Sequence, residues 1–556
     1  MRRFLNERFN ANNVVRDMLG IGEFHRIQGS RDLVRAALYV KERLEEIGID
    51  VKLVSDVYDG KRWHLTLQSP IAWEPVEGSF TAGKELTTEE SPLLIMAHSP
   101  SGEAEGEILP ILREEDWEKA EGKIVLVGRE WRDAYRKANE AGAKAFIAYR
   151  EGTGNAFPYI GLFLTREDLK WAEIPALAVP ETIAKEVTKK ALAGGIRGKV
   201  SVESEIKDRE ELPILLARIG EPPYVLFTAH LCHPKPGAND NASGSAMLIE
   251  LARVLREAYE SSFRFGFAFL WIPEYHGTQA FIERTGEEFY ASINLDMVAG
   301  SPDRSGSTLM LVRTPLSRFS LVSGLLEHFI ELTNRKGKSF SGSELPAMAF
   351  KAYPYEMGSD HDVLNFFGVP AVMPITWPDR FYHSSADTVE KVSLETITII
   401  GRAVLATALA LAKAEKGELR RFARGYAMKV LGEISMRTDT EEAEKLVMRG
   451  LARDSRFFSF ELGHDFDDSP WLEWKLRGIL NERLVRVNGG DWRRFKELAK
   501  DRKVYTHLHE LLMLSELLPK ERALRALEEE YGTVEKEKLE NLVEILARAN
   551  IVELSS

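Results

Sequence analysis

Apolar residues recur at helical spacing in SRDLVRAALYVKERLEEIG (30–48), with Ser30 placed as an N-cap and Gly48 as a stop. The alternating stretch IDVKLVS behind it reads as a strand, so a helix and a strand open the first domain. Between residues 90 and 195 the runs shorten. PLLIMAH, GKIVLVGRE, AKAFIAYR and IPALAVP are strand-like, and RDAYRKANEAGA is a helix stopping near Gly142. This predicts a small α/β or β-rich module. From residue 213 the strands become long and apolar, and each leads into a helical pattern. YVLFTAH precedes ASGSAMLIELARVLREAY, FRFGFAFLWI precedes GTQAFIERT, and YASINLDMV follows. Apolar strands alternating with helices predict a mostly parallel, mixed sheet flanked by helices. The apolar stretch 396–413 carries Arg402 and falls short of the roughly 20 apolar residues of a membrane span. It reads as a buried helix. The last 141 residues, 416–556, are mainly helical and end helix, break, helix, strand, an order that suits a winged-helix-like module.

The expected organisation is therefore an α/β catalytic domain over 1–89 and 196–415, an insert over 90–195 and a helical C-terminal domain over 416–556. A chain of 556 residues is too long for one core. With 44% hydrophobic and 29% charged residues, extensive disorder is excluded. A net charge of −12 opposes global attraction to nucleic acid or anionic membranes, so neither is expected as a partner. The basic run from Arg483 to Lys503 reads as a solvated face. Cys232 is the one cysteine, which rules out an intramolecular disulfide or a cysteine-rich zinc knuckle. That suits a reducing compartment. The opening MRRFLNERFNANNVV lacks the apolar stretch of a secretory signal, and a cytoplasmic protein is expected. Glutamine is scarce while Glu, Lys and Arg abound, a bias seen in thermophile proteins. The composition also allows a homo-oligomer.

Chemistry is expected where the strands stop, because ligands of open α/β sheets bind beyond the carboxyl ends. YVLFTA stops at His230, and the following loop carries Asp240. FRFGFAFLWIP stops at Glu274 and ASINL at Asp296, while DRFYHSSADT holds His383. Singly, each has a plainer reading. Asp240, Asn241 and Ser243 sit where a helix begins and could be caps, and a lone histidine has many structural uses. Five such groups at strand ends of one domain point instead to a metal site. Imidazoles and carboxylates without thiolate suit zinc, and zinc with open positions suits hydrolysis.

AHLCHPKPGANDNASG, PEYHG, NLDM, GSDH and YHSSADT stand in the order of the co-catalytic zinc aminopeptidases of metallopeptidase family 28, which residues 20–413 resemble. The segment 90–195, with GKIVLV, KANEAGAKAFI and IPALAVP, resembles the protease-associated insert of several members. The resemblance implies a zinc-exopeptidase-like fold and removal of N-terminal residues from peptides. It implies that His230 and Asp296 bind one zinc, that Asp240 bridges to a second held by His383, and that Glu274 is the general base. It also implies a cis peptide at Asp240–Asn241. Two positions depart from the family. Cys232 stands where an aspartate usually orients the first imidazole, which leaves that task to His233 or Asp360. Tyr275 stands where a second glutamate usually binds metal. A single glutamate must serve as base or as ligand, with the base role favoured and His276 available as a substitute ligand, so one zinc or two are expected. Asp360 or Glu356 would hold the substrate's amine, with His361 in the pocket wall and Tyr382 facing the substrate. The alternatives are a single-zinc acyl-transfer enzyme of glutaminyl-cyclase type and a non-catalytic peptidase-like scaffold.

Overall fold

The computed structural model of the protein describes residues 2–458 and 469–555. Its larger sheet has eight strands in the order Val51–Tyr58, Glu210–Ile219, Gly266–Ile272, Tyr224–His230, Phe289–Asn294, Ala371–Trp377, Thr308–Val312 and Phe350–Tyr353. The four strands from Gly266–Ile272 to Ala371–Trp377 run parallel, and antiparallel pairs flank them. Three of the four are buried at every position, as a sheet covered by helices on both faces requires. The apolar helix Leu394–Lys413 is one of those covers and packs on Leu321–Thr333. Parallel strands share a direction, so His230 and the loops that leave Ile272, Asn294 and Trp377 all emerge on one edge.

A second sheet of seven strands has its own core around Trp73, Phe80 and Phe146. It runs from Ala72 to Lys207, beyond the expected 90–195 at both ends. The reason lies in the long strands Ala72–Ala82 and Arg197–Lys207, which pair antiparallel over most of their length. Their burial alternates, unlike the main sheet, so they form a two-faced stem carrying the rest of the insert.

Among its described residues the C-terminal region is mainly helical, with one short strand pair, Leu472–Trp474 and Val552–Leu554. It is not cored separately, because its apolar side chains belong to the same cluster as the main sheet. Buried acids fasten the two. Asp454 accepts from the Leu321 amide at 2.7 Å and the Tyr290 hydroxyl at 3.1 Å. Glu510 accepts from the Ser317 amide at 3.1 Å and its hydroxyl at 2.8 Å. The basic run is also not simply solvated. Arg483 pairs with Asp168 at 2.5 Å, Lys496 with Asp133 at 2.5 Å and Lys500 with Glu130 at 2.6 Å, all three acids belonging to the insert. The core shared by the main sheet and the C-terminal region predicts that these two unfold together. Leu512→Ala, at a fully buried position, should cost about 2–5 kcal/mol and leave loss of helix signal and loss of metal in a single transition; an early C-terminal transition would contradict the shared core.

Candidate metal centre

The loop after His230 is fixed before any cation is considered. Arg26 is buried and donates to the carbonyls of Leu231 at 2.9 Å and Gly237 at 3.3 Å, which pins both ends of the loop. Asp387 accepts from the amides of Asn239 at 2.8 Å and Asp240 at 2.9 Å. Asn241 donates to the Leu295 carbonyl at 2.9 Å and accepts from the Met297 amide at 3.1 Å, so this loop is stitched to the one carrying Asp296. Asn241 does serve the start of the following helix, accepting from the Gly244 amide at 3.0 Å, and the Ser243 hydroxyl accepts from the Val298 amide at 3.0 Å, so these two residues also tie the loops together. The Asp240–Asn241 peptide is cis. Tyr275, Met297 and His383 all hold positive φ, a strained conformation for residues with a Cβ that tends to collect at functional sites.

This frame brings His230, Asp240, Asp296 and His383 together, and His233 with them. His230 Nε2 lies 3.4 Å from Asp240 Oδ1 and 3.3 Å from Asp296 Oδ1. The other oxygen, Asp240 Oδ2, lies 3.2 Å from Nε2 of both His233 and His383. One carboxylate thus divides between two donor sets: His230, Asp240 and Asp296 on one side, and His233, Asp240 and His383 on the other.

Ring orientation comes from the Cys232 carbonyl. It accepts from His230 Nδ1 at 3.1 Å and from His233 Nδ1 at 2.6 Å. A carbonyl only accepts, so both Nδ1 atoms carry hydrogen and both Nε2 atoms turn lone pairs inward when the rings are neutral. This replaces the expectation that His233 or Asp360 orients His230. His233 is itself a donor of the centre, and its Nε2 lies 3.0 Å from that of His383. His276, the expected substitute, lies elsewhere. It is packed against Tyr58 and His64, with Nε2 3.3 Å from the Gln68 carbonyl. Burial depresses its pKa to about 3.

The electrostatics fit a cation. Asp296 Oδ1 is buried and receives no hydrogen bond. Burial opposes a charged His230, yet Asp296 and Glu274 outweigh it and raise the ring's pKa well above the ordinary value. Burial likewise opposes charge on His233, but Asp240 lifts that pKa to about 10. Burial dominates at His383 and lowers it to about 4. Two inward-facing nitrogens 3.0 Å apart need a proton or a cation between them. Nitrogen and carboxylate donors in two adjoining triads suit zinc. Cys232 groups with His230 and His233 in a third candidate donor set, and its sulfur also accepts from the Glu274 amide at 3.1 Å.

Glu274 stands beside the donors without joining either triad, and it borders both the metal cavity and a larger cleft. Burial is the main cause of its raised pKa; Asp296 adds to it and His230 offsets part. A dication in the centre would reverse these directions. Tyr382 stacks on His383 with ring centroids 3.7 Å apart and lines the metal cavity. Asp360 and His361 do not line it. Asp360 is fully buried, accepting from the Tyr275 amide at 2.8 Å and from the Thr278 hydroxyl. His361 is fully buried against the Glu356 carbonyl at 3.0 Å. Both help to hold the 356–362 loop and neither lines the cavity, where a substrate role is expected of them; Asp360 Oδ2 is buried without a hydrogen bond. Glu356 faces the cavity, as does Arg502 from the C-terminal region, whose Nη2 donates to the Met357 carbonyl at 2.7 Å.

Residues 215–408 match the model of Peptidase family M28. The catalytic region resembles the family 28 metallopeptidases. Among solved structures, the zinc aminopeptidase BSAP from Bacillus subtilis is 19% identical with a TM-score of 0.54, over 73% of this chain and 96% of that one. An aminopeptidase from Aneurinibacillus sp. strain AM-1 is 19% identical with a TM-score of 0.50, over 74% and 96%. A putative peptidase from Clostridium acetobutylicum is 13% identical with a TM-score of 0.53, over 81% and 93%. At these identities the likeness is one of fold. A search of curated proteins finds no match.

The two triads predict a definite stoichiometry. His233→Ala should reduce bound zinc from two ions per chain to one by elemental analysis, and His276→Ala should leave it at two. Unchanged zinc in His233→Ala would remove the imidazole from the centre.

Proposed function

We propose that the protein is a two-zinc aminopeptidase that removes apolar residues from the N-terminus of peptides. The observation carrying this reading is the Asp240 carboxylate, which turns one oxygen to His230 and the other to His233 and His383. It makes the pair of sites co-catalytic and favours a peptidase over the single-zinc cyclase alternative. The family resemblance of residues 215–408 supports the same class.

When bound, zinc supplies Lewis acidity and brings the pKa of water towards about 7. Glu274 is placed to accept the proton of the attacking water and return it to the leaving amine, the work of a general base outside the metal ligands. The cavity of about 110 Å³ at the centre continues over Met310, Val312, Met373, Ile375 and Trp377. These alternate along the strands Thr308–Val312 and Ala371–Trp377 and so share one face. They offer an aliphatic side chain an apolar seat, with methionines that adapt to its shape. Glu356, at the rim of the same cavity with Oε1 3.5 Å from Arg502 Nε, is the carboxylate to meet the free α-amine.

Glu274→Gln should keep both metals and lower kcat/KM on leucine anilide by roughly 10²–10⁴-fold, the usual size of a general-base effect. Metal loss in that variant would show a ligand instead, and wild-type turnover of a glutaminyl peptide without anilide cleavage would favour the cyclase. Glu356→Ala should raise KM for leucine anilide by roughly tenfold or more, the worth of a charge-assisted hydrogen bond, with kcat changed less; an unchanged KM would move amine recognition elsewhere.

A further inference from the structure

Beyond the metal cavity lies a cleft of about 1010 Å³. It exceeds the metal cavity many times and reaches the top of the ~300–1,000 Å³ range of small-molecule pockets, so it has room for a few residues of peptide. Three parts of the chain wall it: Glu274 and the His233 and His383 edge, the insert from Glu130 to Phe163, and the C-terminal segment from Leu480 to Tyr505.

Six Lys and Arg residues line this cleft. Lys496 and Lys500 are committed to carboxylates of the opposite wall, Arg26 donates to carbonyls, and Arg493 lies over the Trp492 ring on the C-terminal wall. Arg132 and Arg150 differ. Arg132 donates through Nε to the Gly161 carbonyl at 3.0 Å and lies over the Phe163 ring. Arg150 donates through Nη2 to the Tyr159 carbonyl at 3.1 Å and lies over the Trp131 ring. Among the described residues neither pairs with a carboxylate, although both are oriented by a carbonyl and an aromatic face. Desolvation in the cleft lowers the pKa of both guanidinium groups, and Glu482 and Asp133 offset part of it at Arg132. They also stand close to the chemistry. The Tyr159 amide donates to the His383 carbonyl at 2.7 Å, and its ring lies 5.5 Å from His233 and 5.3 Å from His383.

We infer that Arg132 and Arg150 bind a carboxylate on the leaving side of the substrate, the C-terminal carboxylate of a short peptide or an acidic side chain next to the cleaved bond. This rests on the aminopeptidase reading. An Arg fork matches a carboxylate in shape and charge, and one peptide residue spans about 3.3–3.6 Å. A peptide whose scissile bond lies at the metals therefore brings its next residues into this cleft.

The test uses the zinc-loaded wild-type enzyme and matched peptides. Leu-Gly-Gly as free acid against its amide reads the terminal carboxylate, and Leu-Glu-Gly amide against Leu-Gln-Gly amide reads the side chain. A KM roughly 10–100-fold lower for the charged member is expected in at least one pair, the worth of one or two charge-assisted hydrogen bonds. The pair that shows it identifies the source. Arg132→Gln with Arg150→Gln should bring that ratio to about one, and Arg150→Lys should keep part of it. Binding of the acid and the amide to Glu274→Gln by calorimetry should give the same preference without turnover. Equal KM values in both wild-type pairs would overturn the inference while leaving the peptidase reading intact. No cleavage of leucine anilide or of any of these peptides would overturn the peptidase reading itself.

Discussion

The whole centre depends on the two-sided use of Asp240. Its backbone amide is held by Asp387, which leaves both carboxylate oxygens free to face different imidazoles. Three imidazoles and two carboxylates then meet in a space from which water is largely excluded. Such a group of acids and bases costs several kcal/mol per unpaired ion if left unneutralised. The loops resist relaxing away from this arrangement because Arg26, Asn239, Asn241 and Asp387 tie them to one another at the sheet edge. The fold therefore holds donors in place for a cation, and the strained φ values at Tyr275, Met297 and His383 belong to the same frame.

Much of this was legible in the residues. Long apolar runs ending in His, Glu or Asp announce parallel strands whose tips share an edge, because full burial demands apolarity on both faces. What stayed hidden depends on the direction in which side chains turn. His233 is spaced three residues from His230, a chelating interval, but it lies on a loop between cysteine and proline where no periodicity says which way it faces. His276 follows Glu274 by two residues and looks the nearer candidate, yet the helix that begins there carries it into a layer with Tyr58 and His64. The motif alone points Asp360 into the pocket, whereas the side chain is buried and bonded to the Tyr275 amide, away from the cavity lining.

The insert and the C-terminal region are harder to read because their roles are set by each other. Charge balance alone presents Arg483, Lys496 and Lys500 as solvent-facing. Their partners Asp168, Asp133 and Glu130 lie more than 300 residues earlier, in a segment with its own core. The exposed Lys496 and Lys500 pairs add little to stability, while the pair of Arg483 with Asp168 is mostly buried. The consequence of the two lysine pairs is positional, since they join opposite walls of the cleft beside the metal centre. The C-terminal region can do this because Asp454 and Glu510 fasten it to the main core.

The exchange of a second glutamate for Tyr275 finds its compensation in the same geometry. Tyr275 turns away from the centre, its hydroxyl donating to Asp362 at 3.0 Å and its amide to Asp360. That removes a negative charge from the second donor set, and the neutral His233 imidazole supplies a donor in its place. Asp240 and two imidazoles then carry less negative charge than a family-type set with an additional carboxylate. A cation held there keeps more of its positive charge for the substrate. If both sets held an ion, the second would be better suited to polarising a carbonyl, and His230 with two carboxylates would hold its ion more tightly. The asymmetry follows from one tyrosine and one histidine, and it arises without moving the strands that present the two donor sets.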